Sequence, residues 1–537
     1  MNLSSLARRT SVVAIVVLTL VRLPSLVQPP GADQELYAYV AQEIHRGGLP
    51  YVDAWDQKPP GIHYTYALMF AIWPDERVIA ATDLAAATSV ALLLLMLGRR
   101  LAPGAGELAA VLFLLFGNPA FARLGGIRVR AQCETFVALA VTAALLLVYS
   151  LAQLPESERR IRRWTLGLLA GALLGVAFVY KYNTVVYSAA AAVALVVWTH
   201  SRRAGRTSSL RTTVSDLAAM AVGFLLPVGA MLTVFGSGPS WNALWDATVA
   251  YNLQYSRETY TSATGAAWYL MTMPIQQARV NALWLLGGSG CLVLLAFSQR
   301  HASLLAAPIW VAAACLSIVI NGSRSLPQYF IQADPALALA AGAGAVVVAR
   351  ALTTRVVRLG VLVVVVLATA RVSAFAKAVD YTWWDVQCLA GTIDRETYLA
   401  RFGGQRAEDK HSPLAVAHLA GYLGTHSRPD DRVLVFGFSP GALVQSSRRS
   451  ASRFFWSRPL VVGFNEGKPG YGASELLRNV QATSPAVVVL QQNDWQMEGQ
   501  DSATYFLGTP NLAAWLSAHY QRQPDLHNYL LWTRRQP

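Results

Sequence analysis

About eleven stretches of this chain are apolar for close to twenty residues at a time, and nothing else in the sequence constrains its fold as strongly. They run near 11–28, 78–97, 105–121, 131–152, 165–180, 184–199, 214–235, 280–298, 303–320, 331–349 and 359–376. In a bilayer every backbone polar group must be satisfied inside its own segment, so stretches of this length fold as membrane-spanning helices. Hydrophobic residues make up 54% of the chain and charged residues 14%, which excludes an ordinary soluble globule. The first stretch ends in SLVQPPGA without a small-x-small cleavage pattern, so it reads as a retained anchor.

The net charge of +14 raises the question of nucleic acid, but the placement of the charge answers it. With the N-terminus inside, the short inner connections carry Arg8, Arg9, Arg99, Arg100, Arg159, Arg160, Arg162, Arg163, Arg202, Arg203, Arg206, Arg211, Arg300, Arg350, Arg355 and Arg358. That is the positive-inside pattern, and no nucleic-acid module is visible. Cys133, Cys291 and Cys315 lie in apolar stretches and Cys388 stands alone beyond them. Neither a metal spacing nor a disulfide framework follows, and the thiols read as small buried hydrophobes.

An odd number of spans leaves the C-terminus outside, on the periplasmic side of a bacterial inner membrane. The expected organisation is a transmembrane domain over 1–376, with a first outer loop at 29–77, and a soluble α/β domain over 377–537. In the tail, helix-like segments at His411–Thr425, Ser474–Gln481 and Asn511–Tyr520 alternate with the strands Arg432–Phe436 and Ala486–Leu490 and an edge strand at Asn528–Trp532. This alternation predicts a small, mostly parallel sheet. The turn Phe436-Gly437-Phe438-Ser439-Pro440-Gly441 carries no phosphate-loop or dinucleotide fingerprint.

The first outer loop carries the functional signal. Its core is GADQELYAYVAQEIHRGGLPYVDAWDQKPPGI, Gly31–Ile62. A membrane-helix connection needs only a few residues, and one this long is usually functional. From Pro29 to Arg77 the loop holds the carboxylates Asp33, Glu35, Glu43, Asp53, Asp56, Asp75 and Glu76 against the cations Arg46, Lys58 and Arg77. The topology brings Asp33, Glu35 and Lys58 to the same mouth as Arg123, Arg128, Arg130 and Glu134 from the second outer loop, and Lys181 from the end of the fifth span. Ionisable groups at membrane level are costly and mark function by default. Carboxylates beside fixed cations suit a transfer in which one acid takes a hydroxyl proton while the cations stabilise a departing phosphate. Each residue also has a plain reading. Asp33 would cap an amphipathic helix over 34–47, Glu134 would be a buried hydrogen-bonding group, Lys58 and Lys181 would snorkel to the interface, and the loop tyrosines would pack. Two further outer loops are notable. Gly236–Arg279 contains Trp241, Trp245, Tyr251, Tyr255, Tyr260 and Trp268, which form either an interfacial belt or a lid. Asn321–Gln332 places Arg324, Gln328 and Tyr329 at the mouth of the next span.

At these residues the sequence resembles the GT-C glycosyltransferases, in the protein O-mannosyltransferase and aminoarabinose-transferase branch with its bacterial relatives. The likeness is carried by Arg22 near the end of the first span, by the Asp-x-x-x-Tyr, Gly-x-x-x-Tyr and Lys-Pro-Pro elements of the loop, by Glu134, and by the mouth motif PQYFIQADPALAL. It implies a polytopic helical enzyme that moves a sugar, with inversion, from a polyprenyl-phosphate donor to an envelope glycan, lipid or protein. Carried over by position, Asp33 matches the catalytic aspartate, Glu134 the second acid and Lys58 the lysine directed at the lipid phosphate. Gln34 stands where the family has Glu, so Glu35 is the alternative carboxylate. Arg128 and Lys181 join Lys58 as candidate phosphate ligands, and Tyr37, Asp56, Arg324, Gln328 and Tyr329 are candidate substrate contacts. No cofactor is certain, and a divalent metal is compatible with the carboxylates. Two other readings are a flippase or transporter of lipid-linked sugars, for which inverted repeats are the usual sign, and a polymer ligase of the same fold. No internal repeat relates the two halves.

Overall fold

The structure, a computed structural model, describes residues 3–117, 129–202, 210–260, 262–297, 302–322, 326–352, 354–372, 375–403, 412–495 and 499–535. Helix α1 (Leu3–Leu20) leads into two loop helices, α2 (Ala32–His45) and α3 (Gly61–Ile72). Then follow α4 (Arg77–Leu101), α5 (Ala105–Phe116), α6 (Cys133–Ala152), α7 (Arg160–Tyr180), α8 (Val186–Arg202) and α9 (Leu210–Phe235). The aromatic loop folds as α10 (Gly238–Trp245), a π turn at Asp246–Ala250, α11 (Tyr251–Arg257) and α12 (Ala263–Ala278). Helices α13 (Ala282–Ala296), α14 (Ala306–Ile320), α15 (Asp334–Ala351) and α16 (Arg355–Val372) complete the bundle.

Every apolar window therefore holds a helix, and the chain is an integral membrane protein. Among the described residues seven helices are long and apolar enough to cross a bilayer, or nine if each sharply bent pair counts as one span. The bent pairs are the end of α1 with α2, at 74°, and α12 with α13, at 116°. Helix α5 has 12 residues, about 18 Å of rise against a hydrocarbon core of about 30 Å, so it crosses only part of the bilayer. Helix α16 buries no side chain, and its Val-rich surface faces lipid.

Apolar side chains gain little by leaving lipid for one another, so close helix packing depends on small residues. Helices α7 and α9 meet along Gly167, Gly171 and Gly175, set against Ala219, Met220, Gly223 and Phe224. A Cβ on Gly171 would overlap the Met220 carbonyl, and one on Gly223 the Leu168 carbonyl. A buried ion pair between Arg163 and Asp216 closes one end of the same seam.

The tail runs α17 (Phe375–Leu389), α18 (Arg395–Ala400), α19 (Pro413–His426), β1 (Arg432–Phe436), α20 (Gly441–Ser446), β2 (Arg449–Ser450), α21 (Arg458–Val461), α22 (Gly472–Thr483), β3 (Val487–Gln491), α23 (Ser502–Gly508), α24 (Pro510–His519), β4 (Tyr520–Leu526) and β5 (Tyr529–Arg534). The sheet order is β2-β1-β3-β5-β4, with β1 parallel to β2 and β3, and β5 antiparallel to β3 and β4. The sheet is thus mixed rather than mostly parallel. β5 is an inner strand, not an edge, because the polar segment Tyr520–Leu526 (YQRQPDL) pairs outside it. That segment is mostly solvent-facing and contains a proline, both marks of an edge strand.

The tail docks on the loop between α1 and α4 and on the aromatic segment after α9. Arg449 pairs with Glu43 at 2.6 Å and Lys468 with Asp246 at 2.5 Å. Trp456 Nε1 donates to the Trp55 carbonyl at 2.9 Å, Trp55 N donates to the Arg453 carbonyl at 2.8 Å, and Ser450 N donates to the Tyr39 hydroxyl at 2.8 Å. Part of the acidic excess of the first loop is therefore an anchor for basic residues of the tail.

Gly171→Ala is expected to destabilise the detergent-solubilised protein by about 1–3 kcal/mol, since the added methyl meets backbone that cannot move aside. Gly229→Ala, on α9 with open space around its Cβ position, is expected to be neutral or slightly stabilising. Equal melting temperatures for the two variants would refute the role of the glycine seam.

Candidate active site

Helix α2 places its first residues toward three different surroundings. Gly31 is the N-cap, and its N–H donates to Gln34 Oε1 at 2.7 Å. Asp33 is therefore not the cap but the second residue of the helix, where a carboxylate also favours the positive end of the dipole. Gln34 is buried, and its Nε2 donates to the Arg130 carbonyl at 3.1 Å. A carboxylate could not make that second bond, so the amide at this position has a structural cause. Glu35 turns to the tail, where its carboxylate accepts from the Gly441 N–H and would overlap any Cβ on that glycine. Glu35 does not stand beside Asp33, and the alternative carboxylate role has no geometric support. Burial, with Glu76 adding repulsion, pushes the Glu35 carboxyl up to about 8.

Asp33 faces a cluster drawn from four parts of the chain. Gln328 Nε2 donates to Asp33 Oδ2 across a long 3.4 Å. Next in sequence, the Tyr329 ring has the Lys181 ammonium 4.5 Å from its centroid and the Lys58 ammonium 5.9 Å from it, on the scale of cation–π contacts. Lys181 Nζ also donates to Glu134 Oε1 at 2.5 Å, and both are almost fully buried. Lys58 is half-buried, and its ammonium makes no ion pair or hydrogen bond among the described residues. Its backbone is held by the Tyr51 hydroxyl, which donates to the Lys58 carbonyl at 2.7 Å. The structure therefore brings together Asp33, Glu134, Lys58, Lys181, Gln328 and Tyr329.

Other candidates lie beneath or beside this cluster. Tyr37 is buried against the rings of His63 and Tyr66, and its hydroxyl donates to Gln132 Oε1 at 3.3 Å. Asp56 is buried 3.4 Å from His63 Nε2, and burial pushes its carboxyl up to about 7 against the pull of Lys58. Both are supports rather than exposed contacts. Arg130 donates to the Ser25 carbonyl at 2.5 Å and to Gln28 Oε1 at 2.6 Å, and Gln28 Nε2 reaches Asp385 at 2.8 Å. Arg123, Arg128 and Arg324 lie outside the described residues. Among the described residues no group of three or more His, Cys, Asp or Glu side chains is placed to hold a metal ion.

Sequence reasoning missed the frame under the cluster. Gln332 Nε2 donates to the Tyr329 carbonyl at 3.0 Å, while Gln332 Oε1 accepts from Ser317 at 2.7 Å and from Tyr187 at 3.0 Å. Asn183 Nδ2 donates to Ser317 Oγ at 2.9 Å. Buried Asp83 accepts from Ala131 N at 2.6 Å and from Thr135 at 3.1 Å, which fixes the start of α6 and so Glu134. The polar spots in otherwise apolar windows were the available signal.

The pattern of the Dolichyl-phosphate-mannose-protein mannosyltransferase family matches residues 57–228. ArnT from Cupriavidus metallidurans bound to undecaprenyl phosphate superposes with a TM-score of 0.56 at 16% identity, over 98% of this chain and 97% of that one. The archaeal oligosaccharyltransferase AglB from Archaeoglobus fulgidus, in complex with an inhibitory peptide and a dolichol-phosphate, superposes with a TM-score of 0.51 at 13% identity, over 98% of this chain and 74% of that one. The chain has the GT-C fold. No curated protein matches it by sequence. In this GT-C chain the family match begins at Gln57 and takes in Lys58, Glu134 and Lys181.

The Glu35 contact makes a pH prediction. A carboxyl raised from 4.5 to about 8 binds its proton more tightly folded than unfolded, so it lowers stability as pH rises through that window. Melting curves taken between about pH 5 and pH 9 are expected to show Glu35→Gln gaining on the native protein as pH rises. Parallel curves would remove Glu35 from the buried interdomain contact.

Proposed function

We propose that this protein is a glycosyltransferase that takes a sugar from a polyprenyl-phosphate donor of the undecaprenyl class and passes it, with inversion, to a hydroxyl of an envelope glycan, lipid or protein. The observation that carries this reading is the pairing at the mouth of the bundle. Asp33 lies within electrostatic reach of Lys58, whose ammonium has no protein anion bonded to it among the described residues. The neighbouring Lys181 is already joined to Glu134. Among the described residues Lys58 is therefore the cation open to a phosphate, and Lys181 adds its field beside the Tyr329 ring.

In the reaction proposed, the acceptor hydroxyl gives its proton to the Asp33 carboxylate as its oxygen attacks the anomeric carbon. The bond from that carbon to the phosphate oxygen breaks, and its electron pair leaves on the polyprenyl phosphate beside Lys58. Pre-placed charge of this kind stabilises what develops in the transition state without reorganising at that moment. A site opening on the outer face meets no cytoplasmic nucleotide sugars, and a lipid-carried donor fits that constraint. The name of the ArnT structure, which records bound undecaprenyl phosphate, supports the donor class.

Asp33→Asn is expected to lower turnover by about 10²–10⁴-fold with little change in melting temperature, because Gly31 and Gln34 cap the helix without it. Lys58→Ala is expected to be comparably severe. An active Asp33→Asn enzyme would end the assignment of the base. The orientation has its own check: a cysteine introduced at Gly467 should react with an impermeant thiol reagent added from outside, and one at Arg160 should not. The reverse pattern would place the site on the inner face.

A further inference from the structure

The tail reaches toward the lysine cluster through one arginine. Arg458, at the start of α21, is buried, and a guanidinium at that depth must have its donors met. Its Nη2 donates to Glu258 at 2.8 Å and its Nη1 to the Tyr251 hydroxyl. The same group lies 5.2 Å from the centroid of the Tyr255 ring. All three partners belong to α11 or to the residue after it, in the segment entered through the π turn at Asp246–Ala250. Such turns interrupt helix register and are frequent at functional sites.

Helix α11 in turn touches both halves of the cluster. The hydroxyls of Tyr255 and Tyr329 are 3.4 Å apart, and Tyr329 carries the two ammonium groups over its ring. Asn252 Nδ2 donates at 2.7 Å to the carbonyl of Gln57, the residue before Lys58. A buried side chain of the soluble tail is thus two contacts from the ring between the lysines.

We propose that Arg458 is a positioning residue, which sets α11 so that Tyr255 holds the Tyr329 ring against Lys58 and Lys181. This rests on reading that cluster as the phosphate site. It gives the tail a defined part in binding the lipid carrier.

The test measures the affinity of the full-length protein in detergent for undecaprenyl phosphate itself, together with the melting temperature of each variant. Tyr255→Phe keeps the ring over which Arg458 lies and removes only the hydroxyl. Arg458→Ala and Tyr255→Phe are each expected to weaken binding by roughly 3- to 30-fold, and the double variant to be no weaker than the worse single one. Lys468→Ala breaks a second ion pair from the tail to this segment but leaves the Tyr471 hydroxyl donating to Asp246 at 3.0 Å, and it is expected to change the affinity by less than about twofold. Factors that multiply in the double variant, an unchanged affinity in Tyr255→Phe, or equal losses in Arg458→Ala and Lys468→Ala would each overturn the positioning role. A native protein that fails to bind undecaprenyl phosphate, or binds it equally well as Lys58→Ala, would instead overturn the reading of the cluster.

Discussion

Helix α2 has almost no solvent side. Residues Gln34 through Ala41 are all buried in unbroken succession, which a helix tolerates only when every face meets a matching surface. Here Asp33 meets Gln328 of the membrane mouth, Gln34 meets the chain before α6, Glu35 meets α20 of the tail, and Tyr37 meets α3 and Gln132. One short helix therefore registers the tail, the chain before α6 and the bundle against each other. A rotation that moved Asp33 away from Gln328 would also strip Glu35 of its buried N–H donor, and an unpaired buried carboxylate is expensive. The position of the candidate base is set by neighbours on all sides rather than by its own hydrogen bond.

The acidic residues of the outer loops divide between two tasks. Glu43, Asp246 and Glu258 face Arg449, Lys468 and Arg458 of the tail. Asp33 and Glu134 face the lysines and Gln328. The Lys468–Asp246 pair buries its carboxylate but leaves the lysine half in solvent, whereas the pairs that bury an arginine or a lysine fix geometry, because breaking them leaves that cation without water or partner. The same composition that looked like a single acidic mouth is a docking surface with the candidate site at its inner edge.

The membrane helices were legible because hydropathy is a local property, and the window near each helix is apolar whatever its neighbours are. The meeting of Lys181 with Glu134 was legible too, since helix ends on one side of a membrane must lie close. Glu35 was not, because its partner Gly441 is supplied by a domain some four hundred residues later in the chain. Strand β4 was hidden for the opposite reason. Its polar, proline-containing sequence has no apolar alternation to read, and it is held by pairing to β5. Tyr255 lay in a loop whose aromatics suited a belt or a lid equally, and only the contact with Tyr329 separates it from the exposed Trp245 and Trp268.

The charge balance of the cluster bears on the part proposed for Lys58. Among the described residues Lys58 and Lys181 stand with Asp33 and Glu134, two of each sign, and a balanced set costs less to desolvate than an excess of either sign. In the reaction proposed, the donor enters as a phosphodiester with one negative charge and leaves as a monoester that gains a second. Over the same step Asp33 takes up a proton and loses its charge. The sum of negative charge near Lys58 is then unchanged from start to finish, and what moves is its location, from carboxylate to phosphate. A fixed ammonium near both positions follows that shift without moving. A lysine bound tightly to its own carboxylate, as Lys181 is to Glu134, would have to break that pair to do the same. In the reaction proposed, the ion pair and the Tyr329 ring are the rigid wall against which Lys58 works.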